Sequence, residues 1–283
     1  MIGVHLRLNE TLMQVLQQAD TLALPAFQFF VAKAIEKKTS YISPTLEEKA
    51  FLRELVAKHQ TIPIIHASYW INAASGRDQA YAASKGLLKK ELTMAKALGV
   101  PFLVLHPGTA NGFAPDLAPA AVRQLGIERL AALLNETLKN QSDITILLEN
   151  TAHGRNAIGS DLKDFRLIKE LLEYPEKVYF CLDTAHAHAY GYDLANFDTF
   201  LETLESLIGI DNIKLIHLND IEGDRGSKQD KHTLPGEGQL GLPLLQKIAH
   251  LQAFSHIPKI IELPGSSFEI IQNVVTSFLP TKQ

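Results

Sequence analysis

Along the whole chain, short apolar runs alternate with longer segments whose apolar residues recur at helical spacing. The runs fall at 2–6, 22–31, 62–66, 102–106, 144–149, 178–182, 213–217 and 259–263. They are largely unbroken, the pattern of strands buried on both faces rather than on one. Between them, Leu87, Leu88, Glu91, Leu92, Ala95 and Leu98 make one helical face, and Leu130, Leu133, Leu134 and Leu138 make another. Phe197, Phe200, Leu201, Leu204 and Leu207 form a third, and Phe268, Ile271, Val274, Val275 and Phe278 the last. Gly99, directly before Val100-Pro101, is a good helix stop. Eight strand candidates, each followed by a helix candidate, predict a parallel sheet that closes on itself: an α/β fold, one (β/α)8 barrel spanning 1–283. The doubly wound open sheet is the competing layout, but no Gly-x-Gly-x-x-Gly follows the first run. No linker, low-complexity stretch or shift in composition marks a domain boundary.

Where these strands should end, the sequence turns polar. The stretch 178–193 is the clearest case: five apolar residues, then Asp183, then His186 three positions on. In a closed barrel of this type the active site is built at the C-terminal strand ends. The third run ends at His66, the fourth at His106, the fifth at Glu149, the seventh at His217 and the eighth reaches Glu262. The segment after the seventh adds Asp230 and His232. Any one of these is an ordinary solvated or hydrogen-bonded side chain. Six consecutive strands that all end in a metal-ligating residue type are not an accident. Five histidines and four carboxylates exceed the roughly four protein ligands of one tetrahedral zinc site, so two or three ions are expected. Mixed imidazole and carboxylate favours zinc over magnesium, with manganese or iron as alternatives. Such a cluster suits hydrolysis at phosphorus, where it generates hydroxide and neutralises phosphate oxygens.

Bulk properties narrow the setting. A net charge of −4 argues against nonspecific nucleic-acid binding through a broad basic surface, though not against a local site. The single cysteine, Cys181, excludes an intrachain disulfide and nothing asks for an oxidising compartment. The N-terminus lacks the basic and apolar regions of a signal peptide, and the longest nearly apolar stretch, 22–32, is interrupted by Pro25 and Gln28. A cytoplasmic protein without a membrane partner, monomeric for lack of any feature demanding another copy, is the expectation.

From about residue 2 to residue 265 the chain resembles endonuclease IV, the zinc-dependent apurinic/apyrimidinic endonuclease family. The strings that carry the resemblance are His-Ala-Ser-Tyr-Trp-Ile-Asn at 66–72, His-Pro-Gly at 106–108 and Glu-Asn-Thr-Ala at 149–152. They continue with Cys-Leu-Asp-Thr-Ala-His-Ala-His-Ala-Tyr-Gly-Tyr-Asp-Leu at 181–194, His-Leu-Asn-Asp at 217–220, and Asp-Lys-His with Gly-Glu-Gly at 230–238. The resemblance implies a xylose isomerase-like barrel with three zinc ions, manganese being admitted at one or more sites. It assigns His66, His106 and Glu149 to one ion, and makes Glu149 a bridge to a second held with Asp183, His217 and Glu262. His186, Asp230 and His232 would hold the third. Glu262 and Glu149 become the catalytic residues, Glu262 orienting or deprotonating the attacking water. The implied substrate is damaged double-stranded DNA, cut on the 5′ side of an abasic site in base excision repair.

The chain departs from that family in its DNA-facing loops. Strand one is followed by Leu6-Arg7-Leu8-Asn9-Glu10 in place of small residues and a Gly-Gly. The segment after strand two, 31–38, lacks the expected Arg and Trp. His153-Gly154-Arg155 replaces a glycine-rich turn, Lys231 stands where Arg is usual, and 111–115 is an extra loop. Tyr69, Lys33, Arg155 and Lys231 are the candidate DNA contacts, with Trp70, Phe113 or Ile35 as candidate wedges. Two rivals remain. A sugar isomerase or epimerase of the xylose isomerase-like group would use Glu149, Asp183, His217 and Glu262 with a single ion. A non-catalytic relative would grip damaged DNA without turnover.

Overall fold

A computed structural model describes residues 1–8, 11–35, 38–139, 143–154, 156–265 and 267–279, the side chains of 34, 35, 38 and 39 excepted. In chain order the elements are β1 (Ile2–His5), α1 (Leu12–Thr21), β2 (Ala26–Phe30), β3 (Ala32–Ile35), β4 (Lys38–Tyr41), α2 (Leu46–His59) and β5 (Ile62–His66). There follow α3 (Asp78–Leu98), β6 (Phe102–Leu105), α4 (Pro119–Leu138), β7 (Thr145–Glu149), α5 (Lys163–Glu170) and β8 (Val178–Asp183). The last third holds α6 (Thr184–Tyr190), α7 (Phe197–Ile208), β9 (Ile213–His217), β10 (Asp220–Ile221), β11 (His232–Thr233), α8 (Leu242–Ala249), β12 (Lys259–Ile261) and α9 (Phe268–Ser277).

Among the described residues, eight parallel strands close into a barrel in the order β1, β12, β9, β8, β7, β6, β5, β2. Closure is made by the first and last strands, Ile2 opposite Lys259 and Val4 opposite Ile261. The predicted barrel is therefore the observed one. Local chemistry sets the helix boundaries. Thr11 and Thr45 start α1 and α2 with reciprocal capping boxes, and Gly99 ends α3 in the left-handed conformation at φ 70°. No helix among the described residues is long and apolar enough to cross a membrane.

Two apolar layers hold the barrel. The larger lies between strands and helices, from Val4 and Leu16 round to Ile261 and Phe278. The smaller fills the barrel itself: Ala26, Ile64, Val104, Leu147, Cys181, Leu215 and Ile260, all 1% exposed or less. Gly3 completes this inner layer because a β-carbon there would collide with the Ala26 carbonyl, so β1 and β2 approach only without one. Burying these chains contributes about 25 cal/mol per Å² of apolar surface, which makes the inner layer a rigid floor.

One local expectation changes. The segment after β2 is not an open loop: β3 and β4 pair antiparallel, Ala32 opposite Tyr41 and Lys33 opposite Ser40. Val31 anchors this hairpin, its carbonyl accepting from the Ile42 N–H at 3.0 Å.

Candidate metal centre

Side chains of a strand alternate between faces, so the residue two beyond each inner-layer position also points inward, one step nearer the C-terminal rim. Two beyond Ile64, Val104, Leu147, Cys181, Leu215 and Ile260 stand His66, His106, Glu149, Asp183, His217 and Glu262. Strand periodicity alone thus gathers the six residues into one ring above an apolar floor. Glu149, Asp183 and His217 are fully buried; His106 and Glu262 keep some exposure.

The ring is compact. His66 Nε2 lies 3.1 Å and His106 Nε2 2.9 Å from Glu149 Oε2. His217 Nδ1 lies 3.0 Å from Glu149 Oε1, 3.6 Å from Glu262 Oε2 and 3.8 Å from Asp183 Oδ2. A second tier comes from above: His186 on the first turn of α6, Asp230 from the segment between β10 and β11, and His232 at the start of β11. His186 Nε2 and His232 Nε2 each sit 3.2 Å from an oxygen of Asp230, and His232 Nε2 is 3.8 Å from Asp183 Oδ2. Three groups have ligand atoms within 4.8 Å of one another: His66, His106, Glu149; Glu149, Asp183, His217, Glu262; and Asp183, His186, His232.

These groups fit a cation better than one another. A tetrahedral site with bonds of ~2.0–2.1 Å has donor–donor edges of ~3.3 Å, inside the spread of the separations above. Among the described residues, His186 Nε2 and His232 Nε2 are buried without a hydrogen-bond partner although Asp230 is in contact with both. Buried imidazole nitrogens are rarely left so unless something else takes the lone pair.

The surrounding polar groups fix which nitrogen is offered. His66 Nδ1 donates to the Ala67 carbonyl at 2.8 Å and His186 Nδ1 to the Asn150 carbonyl at 2.8 Å, which leaves each Nε2 as the electron-pair donor. His217 is the reverse case: its Nε2 meets Gln28 Oε1 at 2.9 Å, so Nδ1 faces the carboxylates. Asn219 donates to Asp183 Oδ2 at 2.7 Å and to Glu262 Oε2 at 3.2 Å while accepting from the Glu262 N–H at 2.8 Å. Asn150 clasps the Asp183 backbone from both sides, at 2.7 and 3.0 Å. Asp220, fully buried, accepts from the backbone N–H groups of Ile221, Gly236, Gly238, Leu240 and Gly241 at 2.9–3.2 Å. That shapes the segment carrying Asp230 and His232, and Gly238 is required because a β-carbon would strike the Asp220 carboxylate.

Electrostatics follow from packing these charges together. Burial by itself would raise the Glu149 and Glu262 carboxyls, but the imidazoles around them, His217 foremost, hold both well below the usual carboxylate range. Burial wins at Asp183, whose pKa is raised. Burial would lower His186 and His217; the carboxylates around them, Asp183 with Asp230 and Glu149 at His186, and Glu149 with Glu262 at His217, instead carry both well above the ordinary imidazole value. A cation at such a site competes with protons for the imidazole nitrogens, so its binding depends on pH.

The ring floors a cavity of about 810 Å³ whose walls include Arg7, Lys33, Phe30 and Tyr69. Tyr69 is 68% exposed beside it and Trp70 59% exposed next to Tyr69. Phe113, a candidate wedge, is half-buried beside Gly76 and Arg129. Lys231 projects to solvent and pairs with Glu222 at 2.5 Å. Arg155 and the Ile35 side chain lie outside the described residues. Behind the Tyr69–Trp70 loop, the fully buried Glu91 of α3 accepts from the Ser68 N–H at 3.1 and 3.3 Å and from the Tyr41 hydroxyl at 3.1 Å. This ties the β3–β4 hairpin to the loop after β5.

The xylose isomerase-like TIM barrel family matches residues 16–278. A protein of Thermoplasma volcanium described as a probable endonuclease 4 is 31% identical over 277 residues, 96% of this chain and 92% of its own. The chain belongs to the endonuclease IV family of enzymes. A second probable endonuclease 4 of this family, from Thermosipho melanesiensis, is 29% identical over 272 residues, 94% of this chain and 93% of its own. The crystal structure of endonuclease IV from Thermus thermophilus superposes with a TM-score of 0.80 at 27% identity, over 98% of this chain and 97% of that one.

Sequence reading from the third strand onward passed over the first two. His5 at the end of β1 and Gln28 in β2 hold the two remaining inward positions of the ring, two beyond Gly3 and Ala26. The signal was available: the apolar run at 2–6 contains a histidine, and 22–31 a glutamine.

Proposed function

We propose that this endonuclease IV-family protein is a zinc-dependent phosphodiesterase that cuts duplex DNA on the 5′ side of abasic sites. The observation that carries the reading is the convergence of His66, His106, Glu149, Asp183, His186, His217, Asp230, His232 and Glu262 on one cavity floor. Its separations suit several cations, and Arg7 and Lys33 stand at its walls. His66, His106 and Glu149 would hold one ion, Glu149 with Asp183, His217 and Glu262 a second, and His186, Asp230 and His232 a third. Such ions, when bound, acidify a water and neutralise phosphate oxygens.

The chain's own residues do the rest. Glu262 is the ring carboxylate with partial exposure, held by Asn219 and Gln28, and is suited to orient the attacking water and take its proton. Glu149 accepts from both sides of the ring and keeps the two groups of ligands in fixed relation. The Asn150 and Asn219 contacts keep Asp183 from turning. Arg7 and Lys33 face the phosphates flanking the cut, and Tyr69 with Trp70 offers ring surface to the unstacked bases beside the lesion.

The single-ion sugar isomerase would need Glu149, Asp183, His217 and Glu262 alone and gives no role to five further ligand-type residues packed against them. The experiment is cleavage of a labelled duplex carrying one tetrahydrofuran abasic analogue by zinc-loaded protein, beside an undamaged control. A single cut on the 5′ side of the analogue is expected. No cut with three ions bound would refute the lesion-specific reading, and one ion per chain would favour the isomerase.

A further inference from the structure

Eight strands put one inward side chain each into the layer above the apolar floor, and the metal reading uses six. The two others, His5 and Gln28, are joined to the ring by a chain of hydrogen bonds whose direction is fixed. Glu262 Oε1 lies 2.8 Å from Gln28 Nε2, and a carboxylate only accepts, so the amide turns its NH2 toward it. Gln28 Oε1 then faces His217 Nε2 at 2.9 Å. The second N–H of Gln28 reaches His5 Nδ1 at 2.9 Å, which must accept. An imidazole that accepts at Nδ1 carries its proton on Nε2. That Nε2 is buried and has no hydrogen-bond partner among the described residues. The His5 side chain is 8% exposed, its ring 4.5 Å from that of Phe30, and it lines the same cavity as Glu262, His106 and His232.

We propose that His5 is a substrate-binding residue whose Nε2–H donates to a phosphodiester oxygen seated over Glu262, with Gln28 as the positioning residue that sets its tautomer. This rests on the nuclease reading above. The donor is presented from β1 beside Glu262, whose other carboxylate oxygen lies 3.8 Å from His232 Nδ1. Gln28 holds the tautomers of His5 and His217 through one amide, so the donor and the ligand it serves are set together.

The test uses full-length protein with metal content measured for every preparation. His5→Phe keeps a ring against Phe30 and removes both nitrogens; His5→Gln restores a donor. On the tetrahydrofuran duplex His5→Phe is expected to lose on the order of 10- to 100-fold in kcat/KM with unchanged metal content, as removal of one donor to a reacting group does. His5→Gln should recover part of that loss. Independently of turnover, side-chain nitrogen resonances of histidine-labelled wild-type protein should show His5 protonated at Nε2, assigned by its disappearance in His5→Phe. The Nε2 signal should move when the nicked product duplex is added and stay put with undamaged duplex. Unchanged kcat/KM in His5→Phe, or a His5 signal indifferent to saturating product, overturns the proposal. If His5→Phe loses metal, the wild-type resonance and His5→Gln decide it. Wild-type protein that neither binds nor cuts the duplex removes the nuclease reading and this proposal together, whereas normal cutting with a silent His5 removes only the latter.

Discussion

Replacing Glu91 by glutamine separates the cost of a buried charge from the contacts that charge makes. Glu91 has no exposed surface, and burial pushes its carboxyl up to about 7, against hydrogen bonds from Ser68 and Tyr41 that favour ionisation. In the unfolded chain a glutamate titrates near ~4.3. Between those values the folded protein holds a proton that the unfolded chain has released, so stability falls as pH rises through the window. A difference of about 2.7 at ~1.36 kcal/mol per pH unit gives a penalty of about 3–4 kcal/mol above pH 7, most of it acquired between pH 5 and pH 8. Glutamine keeps an acceptor for the Ser68 N–H and carries no charge, so Glu91→Gln should not show that slope. The assay is urea unfolding of both proteins across pH 5–8 at equal metal loading, the difference between them cancelling every other titration. Wild type should lose about 2–3 kcal/mol relative to Glu91→Gln across the range. A difference that is flat with pH, or grows in favour of the wild type, refutes the reasoning that this carboxylate pays for its burial.

Asp220→Ala strips five backbone N–H groups of their acceptor; it should cost about 2 kcal/mol or more in denaturant unfolding and raise amide exchange across the segment carrying Asp230 and His232. Glu262→Gln should keep most of its metal by elemental analysis yet cut the lesion duplex at least ~10²-fold more slowly, and preserved turnover would remove its assigned role. Arg7→Ala should weaken duplex binding and reduce the log–log salt slope by roughly 1, since one phosphate contact is lost; an unchanged slope would place Arg7 off the DNA path. Trp70 is the only tryptophan of the chain, so intrinsic fluorescence reports it alone. Lesion-containing duplex should change that emission, and an emission blind to saturating duplex would exclude contact there.

The barrel and its ring were legible because both arise from one short-range rule. Apolar runs buried on both faces announce themselves residue by residue, and a polar residue closing each run marks the rim. Asp183 and Glu262 could be read that way with no knowledge of what stands opposite them. The supporting groups could not. Asn219 and Asn150 matter through partners thirty to forty positions distant, and nothing in their immediate neighbourhood distinguishes them from loop asparagines. Asp220 reads as one more acidic residue after a strand, yet it organises a turn that begins sixteen residues later. The β3–β4 hairpin escaped because Lys33 to Tyr41 lacks apolar alternation; it is held by backbone pairing and by Tyr41 reaching Glu91, a contact across fifty residues. His5 was missed for a different reason: its strand is short and opens the chain, so its one polar residue did not stand out as a strand end.

Closure of the barrel by its two terminal strands has a consequence for the life of the chain on the ribosome. β12 leads directly into Glu262 and pairs with β1, which supplies His5, so the ring cannot be completed until β12 has emerged. A nascent chain ending at β9 would already carry His66, His106, Glu149, Asp183 and His217, a half-built crown of donors with no opposing wall. Contacts of such long sequence separation form late. A cation held by Glu262 together with Glu149, Asp183 and His217 would in turn secure the seam where β12 closes on β1. The same seam makes the fold a built-in inspector of synthesis: a chain truncated before β12 lacks both Glu262 and the strand that closes the barrel.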